Sequence, residues 1–528
     1  MAERPWWHGA ALYQLYVRSW RDSNGDGYGD LPGIIERLDH LSWLGTDGIW
    51  LSPTMPSPDQ DWGYDVSDYT AVHPELGTLD DLDALVTAAA ARGIRVLLDL
   101  VPNHTSTDHP WFIDAASARD SAHRDYYVWA DPAPDGGPPN NWLDATGQPA
   151  WQWDPSTSQY YLHNFLTGQP DLNWRLPSVH AEFREILRFW FDRGIAGFRI
   201  DVAHGLYKDA ELRDNPALPP GSGQLEGRFG LRPVYNANRP ETHAVYRDWR
   251  KLAESYSPAR LLLGETWTGD LGRLASYYGD DDELQLAFNF PVAFGDFTAP
   301  SLAGLAARTM AALPPGACPV WTASNHDIGR FPTRWCADDA RKTRLALVVL
   351  TTLPGTVVLY YGDEIGMTDV DVPASLQRDA MTRGGSNPQG NRDRARTPLP
   401  WDNSPSGGFT ADSVRPWLPV LPDGPAGNVA SQRADTDSTL WLCRRLLALR
   451  HVEFAGNIPD LEILAASQEQ WVYRAGQLVV VANFSDAPAG LPESAGEVLL
   501  TSCGPAWQDR GRAARLGPWE GAVTRRAD

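Results

Sequence analysis

Short apolar runs recur along the chain and alternate with amphipathic stretches. Residues 48–51 (GIWL), 94–101 (IRVLLDLV), 197–202 (GFRIDV), 260–265 (RLLLGE) and 356–361 (TVVLYY) read as strands buried on both faces, as in a parallel sheet. Between them apolar residues return at helical spacing. Leu82, Leu85, Val86, Ala89 and Ala90 follow a Thr78/Asp81 cap, with Gly93 as a stop. Phe183, Ile186, Leu187, Trp190 and Phe191 form a second stripe, closed by Gly194; Leu345, Val348, Val349 and Thr352 form a third. Eight strands can be placed, beginning near Leu12, Gly48, Ile94, Gly197, Arg260, Leu284, Pro319 and Thr356. Such alternation admits a barrel or an open doubly wound sheet, and the number of strands favours an α/β (β/α)8 TIM barrel.

Three stretches break the alternation, each after a strand C-terminus. Residues 103–173 are rich in Pro, Gly, Asp, Asn and Trp and read as a small inserted domain after strand three. A loop at 208–239 follows strand four, and a glycine- and proline-rich insertion at about 365–435 follows strand eight. The expected division is 1–102 and 174–455 for the barrel, 103–173 for the insertion, and 456–528 for an antiparallel β-domain with alternating apolar residues.

The chain has 528 residues and a net charge of −22, which argues against nucleic acid or an anionic membrane as partner and suits a neutral substrate. The 23 tryptophans offer faces for sugar rings, but most are expected in the core. Cys318, Cys336, Cys443 and Cys503 form no C-x-x-C pair and are expected to be reduced. No signal peptide or long apolar span is evident, so a cytoplasmic enzyme is expected, with monomer and dimer both open.

Polar residues collect at the expected strand ends. Strand three ends with Asp99, Asn103 and His104; strand four with Arg199, Asp201 and His204; strand five with Glu265; and Asn325, His326, Asp327 and Arg330 follow strand seven. An aspartate at one strand end is as often a turn residue as a functional one. Four such ends on one barrel face make a site. No H-x-H or H-E-x-x-H pattern supports zinc. Arg199 and Asp201 alternate along a strand and so point to the same side, where the arginine favours an ionised aspartate.

These segments, in this order, resemble the short sequence regions of the α-amylase superfamily of glycoside hydrolases (family 13). Residues 169–173 (QPDLN), 62–69 (WGYDVSDY) and 391–402 (NRDRARTPLPWD) resemble its oligo-1,6-glucosidase and α-glucosidase branch, and GFRIDVAHGL resembles actinobacterial maltase-type α-glucosidases. The resemblance implies Asp201 as nucleophile, Glu265 as general acid/base and Asp327 as the stabiliser of the distorted sugar. A pair about 5–5.5 Å apart retains the anomeric configuration. Glu265 has to carry a proton to act as acid, which burial and neighbouring carboxylates favour. His104 and His326 are implied to bond sugar hydroxyls, and Tyr64 to stack on the ring. Asp65 with Arg392 is implied to bind the 4-hydroxyl of the non-reducing-end glucose and to close the pocket for exo action. Arg394 and Arg396 stand close enough in sequence to compete for that role.

Residues 22–30 (DSNGDGYGD) place oxygen ligands at alternate positions, as a hard cation requires, but Gly33 stands where an EF-hand has its glutamate. The loop resembles the branch's structural calcium loop, implying Ca2+ at Asp22, Asn24, Asp26, Asp30 and the Tyr28 carbonyl. The alternative is a solvated turn. The implied activity is release of glucose from maltose and short malto-oligosaccharides, with small α-glucosides as the only partners. Val202 points instead to an oligo-1,6-glucosidase. A glucosyltransferase or isomerase of the trehalose or isomaltulose synthase type shares the same residues. An endo-amylase, a non-catalytic barrel and an aldolase-type barrel are disfavoured by Asp65 with Arg392, by the three intact carboxylates, and by the lack of a strand-end lysine, respectively.

Overall fold

A computed structural model describes residues 5–383, 390–421, 424, 426–492, 494–503 and 515–525. Residues 384–389, 422, 423 and 425 of the insertion expected at 365–435 lie outside it, as do 493, 504–514 and 526–528 of the terminal segment.

Strands β1 (Ala11–Leu15), β2 (Gly48–Leu51) and β3 (Arg95–Leu100) open the chain. After β3 the chain leaves the main sheet and forms a three-stranded antiparallel sheet of β4 (Trp129–Ala130), β5 (Trp151–Asp154) and β6 (Gln159–Leu162). It then returns as β7 (Gly197–Ile200), β8 (Leu261–Gly264), β9 (Leu286–Ala287), β10 (Val320–Trp321) and β11 (Thr356–Tyr360). The main sheet runs β10-β11-β1-β2-β3-β7-β8-β9, all parallel, and a parallel bridge between Phe288 and Val320 joins its ends. The sheet is therefore a (β/α)8 barrel.

The strands are apolar on both faces because each face has a core to fill. Inside, Leu12, Trp50, Leu97, Leu261, Leu286, Val320 and Val358 pack together. Outside, alternate residues such as Tyr13, Ile49, Leu98 and Phe198 meet the helices. The helix Leu79–Ala90 starts with the reciprocal Thr78/Asp81 capping box, and the helix Pro177–Asp192 buries Phe183, Ile186, Leu187, Trp190 and Phe191. Among the described residues eight tryptophans, including Trp20, Trp50, Trp190 and Trp321, are fully buried, so core packing explains much of the tryptophan content.

The last strands, β12 (Leu461–Ala466), β13 (Gln470–Ala475), β14 (Leu478–Asn483), β15 (Ala489–Gly490), β16 (Glu497–Thr501), β17 (Arg515–Leu516) and β18 (Gly521–Arg525), form antiparallel sheets. The larger runs β12-β13-β14-β18-β16, and β15 pairs with β17. Tyr473 on β13 reaches the barrel helix Ala340–Thr352, its Oη 2.5 Å from Thr352 Oγ1. No helix among the described residues is long and apolar enough to cross a membrane.

Candidate active site

Inward-facing positions change from apolar to polar toward the strand C-termini: Leu12 is followed by Gln14, Leu97 by Asp99, and Gly197 by Arg199. Asp99 and Arg199 are register partners on β3 and β7. Period-2 alternation thus sets a polar floor on the packed barrel core. Above it opens a pocket of about 520 Å³, within the usual range for small-molecule sites, lined by Asp61, Tyr64, Asp201, Glu265, Asp327 and Arg392 among others.

Arg199 is the node of this floor. Its Nη1 is 2.7 Å from Asp201 Oδ1 and 2.8 Å from Asp99 Oδ1, and its Nη2 is 2.9 Å from Glu265 Oε2. One buried guanidinium thus serves three buried carboxylates. Burial pushes the Asp201 carboxyl well up, Arg199 opposes this, and the neighbouring Glu265, Asp99 and Asp327 add to the rise. The arginine that the sequence assigns to keeping Asp201 ionised is present, but it is shared with Asp99 and Glu265, and burial outweighs it. Asp99 is likewise raised by burial, to about 6, against the pull of Arg199.

Val202, directly after Asp201, has φ +45°, a strained value for a β-branched residue. In this conformation its N–H donates to Glu265 Oε2 over 2.9 Å. Arg199 and Val202 both occupy Oε2, which leaves Oε1 as the oxygen free to exchange a proton.

Asp327 follows β10 in a turn that Asn325 holds by accepting from the Asp327 and Ile328 amides. Burial opposes its charge, but His326, Arg392 and Arg396 together hold its carboxyl far below the usual range. Arg392 Nη1 and Arg396 Nη2 reach Asp327 Oδ1 at 3.0 and 3.1 Å. Burial lowers His326 strongly, so its ring is neutral with one proton. Nε2 lies 2.5 Å from Tyr64 Oη and 3.1 Å from Asp327 Oδ2, while Tyr64 Oη donates to Asp99. Both neighbours accept, so the proton is on Nε2, and Nδ1 accepts from Gln14 Nε2 at 2.7 Å.

The pairing expected between Asp65 and Arg392 does not form. Arg392 Nη2 lies 2.7 Å from Asp61 Oδ1 and 2.7 Å from Asp379 Oδ1. Asp65 is fully buried and accepts from Ser57 Oγ and from the amides of Gln60 and Asp61, so it shapes the loop that carries Asp61. Gly63, at φ +99°, permits that loop: a Cβ there would meet Pro53 Cβ at 2.8 Å. Of the competing arginines, Arg394 turns outward to Asp369 and Arg396 supports Asp327 from behind, also donating to the His326 carbonyl. Tyr64 lies parallel to His326 with the rings offset, their centroids 5.4 Å apart. His104 lines the pocket beside Phe165, but its Nε2 is 3.0 Å from the Tyr64 carbonyl, so that proton is already used.

With this geometry in view, the comparisons are direct. Residues 14–455 match the family description "Alpha amylase, catalytic domain", and residues 459–523 match a domain of unknown function, DUF3459. The chain belongs to the alpha-amylase family. Within this family of glycoside hydrolases it is 40% identical over 466 residues to a probable alpha-glucosidase of Rhizobium meliloti, covering 85% of this chain and 83% of that protein. It is 34% identical over 565 residues to the oligo-1,6-glucosidase of Heyndrickxia coagulans, covering 98% and 99%. The crystal structure of the alpha-glucosyl transfer enzyme XgtA superposes with a TM-score of 0.91 at 36% identity, covering 99% of this chain and all of that one.

In this member of the alpha-amylase family, the loop Asp22–Asp30 is a chain of turns. Asp22 Oδ1 accepts from the Asn24 and Gly25 amides, and Oδ2 from the Gly27 amide and Thr410 Oγ1. Asn24 accepts from Asp26, and Asp26 from Tyr28. Asp30 caps the helix Leu31–Leu44 through the Gly33 amide and accepts from Ser23. Asp22 and Asp30 are buried, neither is paired with a cationic side chain among the described residues, and burial followed by the charge of Asp22 raises Asp30. This donor chemistry fits a hard cation, although the oxygens are turned onto amides here. Elsewhere Asp59, His73 and Glu75 bring ligand atoms together, but Arg18 already pairs with Asp59 and Glu75.

Asp61, Asp379 and Gln14 were not singled out from the sequence, and Arg396 was weighed only as a competitor of Arg392. Asp61 was within reach, directly before the 62–69 motif and four residues before Asp65, but spacing does not say which aspartate faces the pocket. Gln14 carried only the signal of a polar residue inside an apolar strand.

Proposed function

We propose that the chain is a retaining, exo-acting α-glucosidase that releases glucose from the non-reducing end of maltose and short malto-oligosaccharides. The observation that carries this reading is the pair Asp201 and Glu265 on the two nitrogens of one guanidinium, in a pocket blocked by the Arg392–Asp61 bridge. Sharing one planar fork suits the ~5–5.5 Å separation of a retaining pair better than the ~6.5–9.5 Å of an inverting one. A blocked inner end suits a single terminal sugar.

In this reading Asp201 attacks the anomeric carbon while Glu265 Oε1 passes its proton to the glycosidic oxygen. The C–O bond breaks, the shortened sugar leaves with that proton, and a glucosyl ester remains on Asp201. Glu265 then takes a proton from water, whose oxygen displaces Asp201 and regenerates the α-anomer. Asp327, kept ionised by Arg392 and Arg396, stabilises the positive charge on the ring.

The same residues serve transfer when a sugar replaces water, and the similarity to an alpha-glucosyl transfer enzyme keeps that second reading in view. Incubation with maltose and isomaltose, followed by chromatography and by NMR of the first anomer released, tests both. Free α-glucose, faster from maltose, supports the proposal; β-glucose first removes the retaining mechanism; new disaccharides with little glucose make the chain a transferase. We further propose that the Asp22–Asp30 loop holds a structural Ca2+, supported by the buried carboxylates of Asp22 and Asp30, which meet no cationic side chain among the described residues. A cytoplasmic setting is supported by the buried thiols of Cys318, Cys336 and Cys443.

A further inference from the structure

The wall beside Glu265 is formed from residues 224–238 and 267–273, and three arginines line it: Arg228, Arg232 and Arg273. Their situation differs from that of the deeper arginines. Arg199 and Arg392 are each held by three carboxylates. Among the described residues, no carboxylate lies within ion-pair distance of the Arg228, Arg232 or Arg273 side chains, and none of the three has a hydrogen-bond acceptor. Glu226 and Asp270 share the wall but are exposed, and Asp270 Oδ1 is spent on the Gly272 and Arg273 amides.

Arg228 is the most telling of the three. Its guanidinium lies 4.8 Å from the ring centroid of Trp267, two residues after Glu265. Burial lowers its pKa, while Asp327 and Glu265 act in the opposite sense. Arg228 is half-buried with its donor fork open to the pocket, and that fork matches carboxylate and phosphate oxygens. The chain as a whole carries −22, which repels an anion at long range, so a local cationic wall is what an anionic ligand needs to settle here.

We propose that this wall takes an aglycone bearing a negative charge, a carboxylate or a phosphate ester, with Arg228 as its inner contact and Arg232 and Arg273 at the rim. The proposal rests on the α-glucosidase reading: Glu265 delivers its proton to the glycosidic oxygen, so the groups stacked beside Glu265 meet the leaving group. Bidentate contact to Arg228 orients that group, and the exposed Arg232 and half-buried Arg273 guide its entry.

The test compares kcat/KM for 4-carboxyphenyl α-D-glucopyranoside and its methyl ester, in the wild type and in Arg228→Gln. Taking the ratio of ratios cancels the intrinsic leaving ability of each phenol. The carboxylate-to-ester ratio is expected to fall roughly tenfold or more in the variant, and to fall in the wild type as salt is raised. The corresponding 4-phosphate substrate, run alongside, separates the two anions: a larger drop for phosphate assigns a phosphate ester, a larger drop for carboxylate a carboxylate. An unchanged ratio with both glucosides cleaved overturns the charged-aglycone proposal alone. A wild type that cleaves none of the three overturns the α-glucosidase reading beneath it. Should Arg228→Gln fail to fold by circular dichroism, Arg273→Gln at the rim reads the same ratio, with a smaller fall expected and no fall overturning the proposal.

Discussion

Arg392 Nη2 donates to Asp61 Oδ1 across 2.7 Å, joining the loop after β2 to the insertion after β11 at the inner end of the pocket. Asp65, four residues on, never reaches it. Asp61→Asn is therefore expected to raise KM for maltose about tenfold or more with a smaller loss in kcat, because a charge-assisted contact at the sugar-binding end is lost. Asp65→Asn is expected to act on stability instead, by about 1–3 kcal/mol, through the amides of Gln60 and Asp61. Paired kinetics and thermal melts decide the matter; a KM effect confined to Asp65→Asn would reverse the two roles.

Asp201→Asn removes the proposed nucleophile while keeping its shape. Turnover is expected to drop by on the order of 10⁴-fold or more with the circular dichroism spectrum unchanged. Near-normal turnover would remove Asp201 from that role.

Gln14 fixes the tautomer of His326 by donating to Nδ1, leaving the Nε2 proton for Tyr64 and Asp327. Gln14→Leu is expected to lower kcat/KM roughly tenfold, the usual scale for a partner that orients an active-site histidine from behind. Steady-state kinetics that match the wild type would mean that Tyr64 alone sets the ring.

Asp363 is buried away from the pocket, accepting from the Tyr360 amide, and burial pushes it from 3.8 to about 7. Between roughly pH 4 and 7 the folded chain keeps a proton that the unfolded chain has lost, so this group subtracts stability as pH rises through that window. Asp363→Asn escapes the penalty. The stability difference between variant and wild type, read from thermal melts, is expected to move in the variant's favour from pH 4 to 7, by a few kcal/mol at most at ~1.4 kcal/mol per unit. A constant difference across that range would refute the shift.

Calcium added to chelator-treated protein is expected to raise Tm, and Asp22→Asn to abolish the increment. A melt indifferent to calcium and to chelator would leave the loop as the chain of Asx turns it already forms.

The barrel was legible in the sequence because its strands are apolar on both faces and its helices on one, and these periods are local properties of the chain. The order of polar strand ends, with Asp99, Asp201 and Glu265, was legible for the same reason: a strand fixes which side of the barrel its end reaches, whereas Asp327 depends on the Asn325 turn six residues past β10. What only the tertiary structure decided was the pairing of charges. Asp61 and Asp65 occupy the same loop, and Arg392, Arg394 and Arg396 lie within one short segment, yet only Asp61 and Arg392 meet. Arg199 sits two residues from Asp201 in the sequence, but its division among three carboxylates depends on β3 and β8 flanking β7. Coulomb energies and hydrogen bonds turn on separations of a few ångströms, and those are set by how loops from distant strands fold over one another, which no local pattern records.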